Sequence, residues 1–387
     1  MKRTIWRLPG SMVMTSACLV FPIAAHAQST VTLYGVIDEG IDYTNNSGGK
    51  SLWHMQDGTY DGIYGSRWGL KGSEDLGGGL SAIFKLESGF SAENGQMRQG
   101  GRLFGRQAYV GLSDTRFGTL TFGRQYDSIV DYLQPLTAPG QFGGPFVHAG
   151  DIDNTDNSFR VDNAIKYASP SFGGLTFGGM VSFTNSTAPG RGTTGMWSIG
   201  ASYSIASFNV AAAYLYAKNP ALLFTDGDFV SDTTGPAIGA SGPFSYVGNP
   251  ANEQVVGAAA SYAFGRATVG LDFTDTRFER ANGTTSTVRF DNYEVWARYA
   301  LTAAWSVGGA YTYTHGHVGY SDAAPIFHQA GLTTTYALSK RTSVYAMGVY
   351  QRAGAAATQA AIFDGVVGNA SSNNHQIALR IGMYHLF

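Results

Sequence analysis

The chain has one cysteine, Cys18, and twelve prolines in 387 residues, and only 13% of its residues are charged. A lone thiol cannot close an internal disulfide, so neither a cystine framework nor a thiolate metal centre holds this fold together. Lys and Arg number 25 against 27 Asp and Glu. That balance offers no basic excess for a nucleic-acid partner and no charge-rich composition of the disordered kind. After residue 27 there is no uninterrupted apolar run of about 18 residues, so no membrane helix is available; a membrane strand needs only about ten residues of alternating character. What the chain does have is 52 Gly, 22 Tyr and 23 Phe, a composition that suits strands and tight turns and predicts an all-β fold.

Residues 1–27 read as a secretory signal peptide. Lys2, Arg3 and Arg7 form a positive start, Leu8 to Ala25 carries no charge, and Ala25-His26-Ala27 is a small-residue cleavage site. Pro9, Gly10 and Pro22 interrupt the uncharged stretch, which argues against a permanent anchor. Removing 27 residues leaves 360, takes away Cys18 and three cations, and sets the net charge at 22 less 27, or −5.

The remaining chain alternates with a period of two. Ala267, Val269, Leu271 and Phe273 oppose Thr268, Gly270, Asp272 and Thr274, while Tyr293, Val295, Ala297 and Tyr299 oppose Asn292, Glu294, Trp296 and Arg298. Segments 102–112 and 343–351 have mixed faces, and their parity stays unassigned. Seven tight turns, near 74–79, 114–118, 170–174, 204–206, 264–266, 301–303 and 338–341, interleave with eight longer loops, near 44–63, 91–101, 127–159, 186–194, 219–251, 279–288, 315–325 and 353–373. Fifteen connections join 16 strands. Short turns at one end and long loops at the other are the asymmetry of an outer-membrane barrel, and about 16 strands leave an interior too wide for side chains to fill. Residues 28–387 are thus expected to form a single 16-stranded antiparallel transmembrane β-barrel. Its last strand alternates Ile377, Leu379, Ile381, Met383 and His385 up to a terminal Phe387, the pattern of an outer-membrane assembly signal.

The chain resembles the general diffusion porins of Gram-negative bacteria, in particular the beta-proteobacterial trimeric branch. Five segments carry the resemblance in order: Ser29 to Gly35, Ser66 to Gly77, Phe104 to Leu112, Phe117 to Tyr126 and Asn163 to Pro170. It implies an outer-membrane homotrimer in contact with lipid and lipopolysaccharide, passing ions and small hydrophilic solutes, with no cofactor, no nucleic acid and no enzymatic activity. It further implies that loop 127–159 folds inward as the constriction loop. That segment is long for a structureless connection, and Pro135, Pro139 and Pro145 constrain its path. Its acids Asp127, Asp131, Asp151 and Asp153 would face a basic wall made of Arg67, Arg124 and Arg160, with Arg106 a further member, and Lys85 and Glu87 would line the pore. Arg67 shares parity with Lys71, and Arg160 with Asp162 and Lys166, so both are expected to face water. Arg124 has the parity of Leu120 and Phe122 and needs a break near Gly123 to turn inward. Relatives often carry an acid in the loop's Phe-Gly-Gly stretch, whereas Gln141-Phe142-Gly143-Gly144-Pro145 has none, which tilts the expected selectivity toward anions.

Competing readings are weaker. A solute-specific channel or receptor would need aromatics tracking along the lumen, and a barrel enzyme would need a Ser/His/acid set on one rim. His315 and His317 lie at a strand end without a neighbouring carboxylate. Asp151, Asp153 and Asp156 lack the glycine and closing glutamate of a calcium loop. No metal ligands are assigned.

Overall fold

The computed structural model describes residues 30–187, 192–224, 242–365 and 369–387; the expected signal peptide lies outside them. The sheet begins with β1 (Thr30–Ser47), a Gly48-Gly49 turn, β2 (Lys50–Asp57), the short helix α1 (Gly58–Asp61) and β3 (Arg67–Gly77). It continues through β4 (Leu80–Gly89), β5 (Gln107–Asp114), β6 (Gly118–Gln125), β7 (Val161–Ala168), β8 (Leu175–Phe183) and β9 (Thr194–Ile205). The remaining strands are β10 (Phe208–Lys218), β11 (Asn252–Phe264), β12 (Ala267–Glu279), β13 (Val288–Ala300), β14 (Trp305–Val318), β15 (Pro325–Ala337), β16 (Thr342–Ala355) and β17 (His375–Leu386).

Every pairing is antiparallel, and β1 closes the barrel against β17 from Val36↔Leu386 to Thr44↔Ala378. Strands β2 and β3 both pair with β1, one along each half, so they are the two pieces of one stave and the closed barrel has 16. The seven short turns stand where the sequence puts them. The expected long loop at 44–63 does not exist as such. Residues 44–47 and 50–57 are strand, Trp53 and Met55 point outward at 70% and 62% exposure, and the interruption at 58–66 enters the barrel instead. Asp38 holds that inward segment by accepting backbone hydrogen bonds from Ile63 and Tyr64 at 3.1 and 2.9 Å.

Outward-facing residues form an exposed apolar belt that includes Leu33, Leu271, Val295, Leu332 and Ile381. In water such a surface would aggregate; facing hydrocarbon it is stable, because the strands pair with one another around a closed sheet. The strands whose parity the sequence leaves open are ordinary in register. In β5, Val110 and Leu112 face out; in β16, Tyr345, Met347 and Val349 face in and are buried.

Their burial comes from loop 127–159, which folds inward and packs on the inner wall. Ile129, Leu133, Ile152 and Phe159 join Met196, Leu215, Val255 and Phe278 in one buried cluster. Phe142, Phe146 and Val147 join Trp296, Tyr345, Met347 and Val349 in another. Fully burying side chains of this size contributes about 1.5–3 kcal/mol each. Polar anchors set the loop's path: Ala138 N donates to Glu294 Oε1 at 2.6 Å, Trp296 Nε1 to the Leu136 carbonyl at 2.8 Å, and Gln329 Nε2 to the Val147 carbonyl at 2.7 Å. Gly143, at φ +100°, and Gly144 lie against α1, where an added Cβ would stand 2.1 Å from the carbonyl oxygens of Gly62 and Tyr60. Only glycine lets these two segments touch.

Candidate functional site at the pore constriction

The loop packs against the wall from β9 round to β16, and open space borders the opposite side, against β3, β4 and β5. There a cavity of about 430 Å³ is lined by the charged side chains of Arg67, Lys85, Arg106 and Arg160 together with Glu87 and Asp156. Four cationic side chains face two carboxyl groups.

Each charge has a local reason for its position. Arg67 opens β3 just after the inward segment; its Nη1 donates to the Gly65 carbonyl at 2.9 Å, and its guanidinium lies 5.8 Å from the Tyr64 ring centre. Arg106 ends the loop after β4 and donates from Nε to Glu87 Oε1 at 2.9 Å and from Nη2 to the Tyr126 hydroxyl at 3.0 Å. Burial alone would make Arg106 less basic, but Tyr126 and Glu87 outweigh it and push its pKa up. Glu87 is the shared counterion. It also stands 3.4 Å from Lys85 and accepts from the Tyr34 hydroxyl at 2.7 Å.

Arg160 reaches the cavity by a route that strand parity does not describe. It precedes β7, its guanidinium lies 5.8 Å from the Tyr126 ring centre, and Nη1 donates to the Ser158 carbonyl at 3.3 Å. Asn163 takes φ +55°, so the alternation slips at this point and Val161 and Ala164 are both buried inward. Arg124 does sit beside a break: Gly123 has φ +136°, and the β6–β7 register shifts between Gly123 and Gln125. The side chain nevertheless is not part of the cavity lining. It is spent on Asp162 at 2.6 Å and on the Gly105 carbonyl at 2.6 Å.

The four loop acids are placed differently from the expected wall of negative charge. Asp127 is enclosed, accepts from Ile129 N and Asn154 Nδ2, each at 2.7 Å, and is pushed by burial up to about 6. Asp131 pairs with Lys166 at 2.6 Å. Asp151 accepts from Ser158 Oγ at 2.6 Å, and burial with the charge of Asp153 takes it up to about 7. Asp153 binds His148, Thr274 and Asn292. All four brace the loop. The acid that does reach the cavity, Asp156, is held well above the usual carboxyl range by burial and by Asp151. Sequence reasoning missed the inward α1 segment, whose Asp61 is buried, and the loop-to-wall cluster around His148. Neither lies within a contiguous motif.

A family model described as Gram-negative porin matches residues 14–356. The chain belongs to the Gram-negative porins. It is 30% identical to outer membrane porin protein 32 of Delftia acidovorans over 380 residues, 94% of this chain and 96% of that one. A stretch of 177 residues, 42% of this chain and 45% of the relative, is 42% identical to an outer membrane porin of Bordetella pertussis. Among solved structures, the anion-selective porin from Comamonas acidovorans superposes with a TM-score of 0.74 at 23% identity, covering 93% of this chain and all of that one. The membrane crossed by this porin barrel is the Gram-negative outer membrane, and the charged cavity lies inside the barrel of a porin channel.

Proposed function

We propose that this porin is a passive diffusion channel for ions and small hydrophilic solutes with a weak preference for anions, assembled as a homotrimer and exported by the segment 1–27. The observation that carries the preference is the cavity's excess of fixed cations, four against two carboxylates. Charges on the wall of a water-filled bore act through solvent, so they bias the ion population without excluding either sign. The apolar belt supports contact with membrane lipid, and family membership supports the trimer. Purified protein in planar bilayers should give ohmic steps that close in threes, with a reversal potential under a salt gradient on the anion side. A cation-side potential would overturn the proposed selectivity, and single independent steps would overturn the trimer.

A further inference from the structure

The seam between the constriction loop and the far wall holds a cluster that ion passage does not use. His148, from the loop, is wholly enclosed, as are the side chains of Asp153 and Asp272. Its Nδ1 lies 2.6 Å from Asp153 Oδ2. The same carboxylate accepts from the Thr274 hydroxyl and from Asn292 Nδ2, so it is an acceptor and Nδ1 carries the hydrogen. The other ring nitrogen, Nε2, faces Asp272 Oδ2 of β12 at 3.2 Å and Glu294 Oε2 of β13 at 3.4 Å.

Three polar groups converge there out of reach of water. Neither oxygen stands in hydrogen-bonding geometry with Nε2, and neither oxygen of Asp272 receives a hydrogen bond among the described residues. A neutral ring would turn its Nε2 lone pair toward two carboxylates in a site closed to water, an arrangement that burial makes costly. A proton on Nε2 would aim at neither oxygen. A cation between the three groups answers both difficulties. The three donor atoms lie within 4.8 Å of one another, and ligands bonded at about 2.0–2.1 Å around a tetrahedral ion stand about 3.3–3.4 Å apart. The Asp153–imidazole pair behind Nε2 is the second sphere that sets tautomer and ring direction in histidine metal sites.

We propose that His148, Asp272 and Glu294 bind a divalent transition-metal cation of the zinc type, which ties the constriction loop to β12 and β13. The donor set, one imidazole nitrogen and two carboxylate oxygens, suits zinc and leaves a fourth position open. Glu294 also accepts from Ala138 N through its other oxygen, so one side chain would join metal and loop tip. A second grouping, Asp42, His54 and Asp61, is less apt, because Asp42 is committed to Arg380 at 2.6 Å and His54 stands 3.8 Å from Asp61.

The test loads detergent-solubilised protein with zinc chloride, desalts it, counts zinc by mass spectrometry and records zinc X-ray absorption. About one zinc per chain is expected, with one imidazole in an N/O shell at about 2.0–2.1 Å. His148→Ala and Asp272→Asn should each lose more than nine-tenths of the zinc, Asp153→Asn should weaken zinc binding by about 10–100-fold, and Asp61→Asn should retain it. Folding of each variant is checked by its heat-dependent gel migration. The wild-type measurement stands even if a variant does not fold. Folded wild type that holds no stoichiometric zinc, a shell without imidazole, or loss of zinc in Asp61→Asn would each overturn the proposal.

Discussion

Arg67 and Arg160 are the cavity cations for which charge removal should report selectivity most directly, since Arg106 and Lys85 share Glu87. A sphere of the cavity's volume has a radius of about 5 Å, so an ion at its centre stands about 6 Å from the charged groups, where a unit charge acts with about 0.7 kcal/mol in water. With a screening length of about 8 Å at physiological salt, roughly half of that survives, about 0.3 kcal/mol. This favours an anion and disfavours a cation by about 1.7-fold each, so one charge changes the anion-to-cation permeability ratio about threefold and two change it about eightfold. At 1 M salt the screening length falls to about 3 Å and the combined effect shrinks to about twofold. The double variant Arg67→Gln/Arg160→Gln should therefore show a reversal potential displaced toward cations by that ratio at 0.15 M and by far less at 1 M. Arg124→Gln, outside the cavity lining and paired with Asp162 at 2.6 Å, should displace it by less than half as much as Arg160→Gln. An unchanged potential in the double variant, or a shift independent of salt, would refute the assignment of these arginines to the filter.

Acidification should strengthen anion preference. Burial and the charge of Asp153 raise Asp151 to about 7, and burial with Asp151 raises Asp156 as well, so lowering the pH from about 8 to 5 protonates Asp151 and reduces the negative charge beside the cavity. Asp156→Asn should flatten the pH dependence of the reversal potential; an undiminished slope would assign it to another group. With Asp151 raised to about 7 and Asp127 to about 6, the folded loop binds more protons than the unfolded chain between roughly pH 4 and 7, so this contribution to stability declines as pH rises through that window. Phe142, buried against Phe146 and Trp296 at ring distances of 5.1 and 6.0 Å, should be needed to hold the loop tip. Phe142→Ala should destabilise this packing by about 3–5 kcal/mol, seen as a lower thermal midpoint and a noisier open-channel current. A quiet current of unchanged conductance would show that the polar anchors suffice.

The barrel was legible in the sequence because lipid imposes a simple rule: outward positions must be apolar, so β12, β13 and β17 read cleanly in steps of two. The rule weakens where something other than water touches the inner face. Strand β16 gave no parity because Tyr345, Met347 and Val349 pack beneath Phe142, Phe146 and Val147. That contact joins residues about 200 positions apart, and no local pattern encodes it. The stretch Asn45-Asn46-Ser47-Gly48-Gly49 has the composition of a turn, yet only Gly48 and Gly49, at φ +61° and +98°, leave the strand.

The arginines follow from the same cause. Type and rough position were legible for Arg67, Arg106 and Arg160; the break expected near Gly123 is present, but the slip at Asn163 beside Arg160 and the capture of Arg124 by Asp162 are contacts that alternation cannot foresee. The loop acids were legible as acids and not as braces, since bracing depends on β7, β12 and β13 and on which side of the barrel the loop leans. Its lean follows from the apolar residues on both sides: Ile129, Leu133, Phe142 and Phe146 can bury themselves only against the inward Met196, Leu215, Trp296 and Met347, and this drives the passage to the side where Arg67, Arg106 and Arg160 stand. The charge excess of the constriction is thus a consequence of where the loop's hydrophobic face docks. Moving that face, as Phe142→Ala does, should alter selectivity even though it removes no charge.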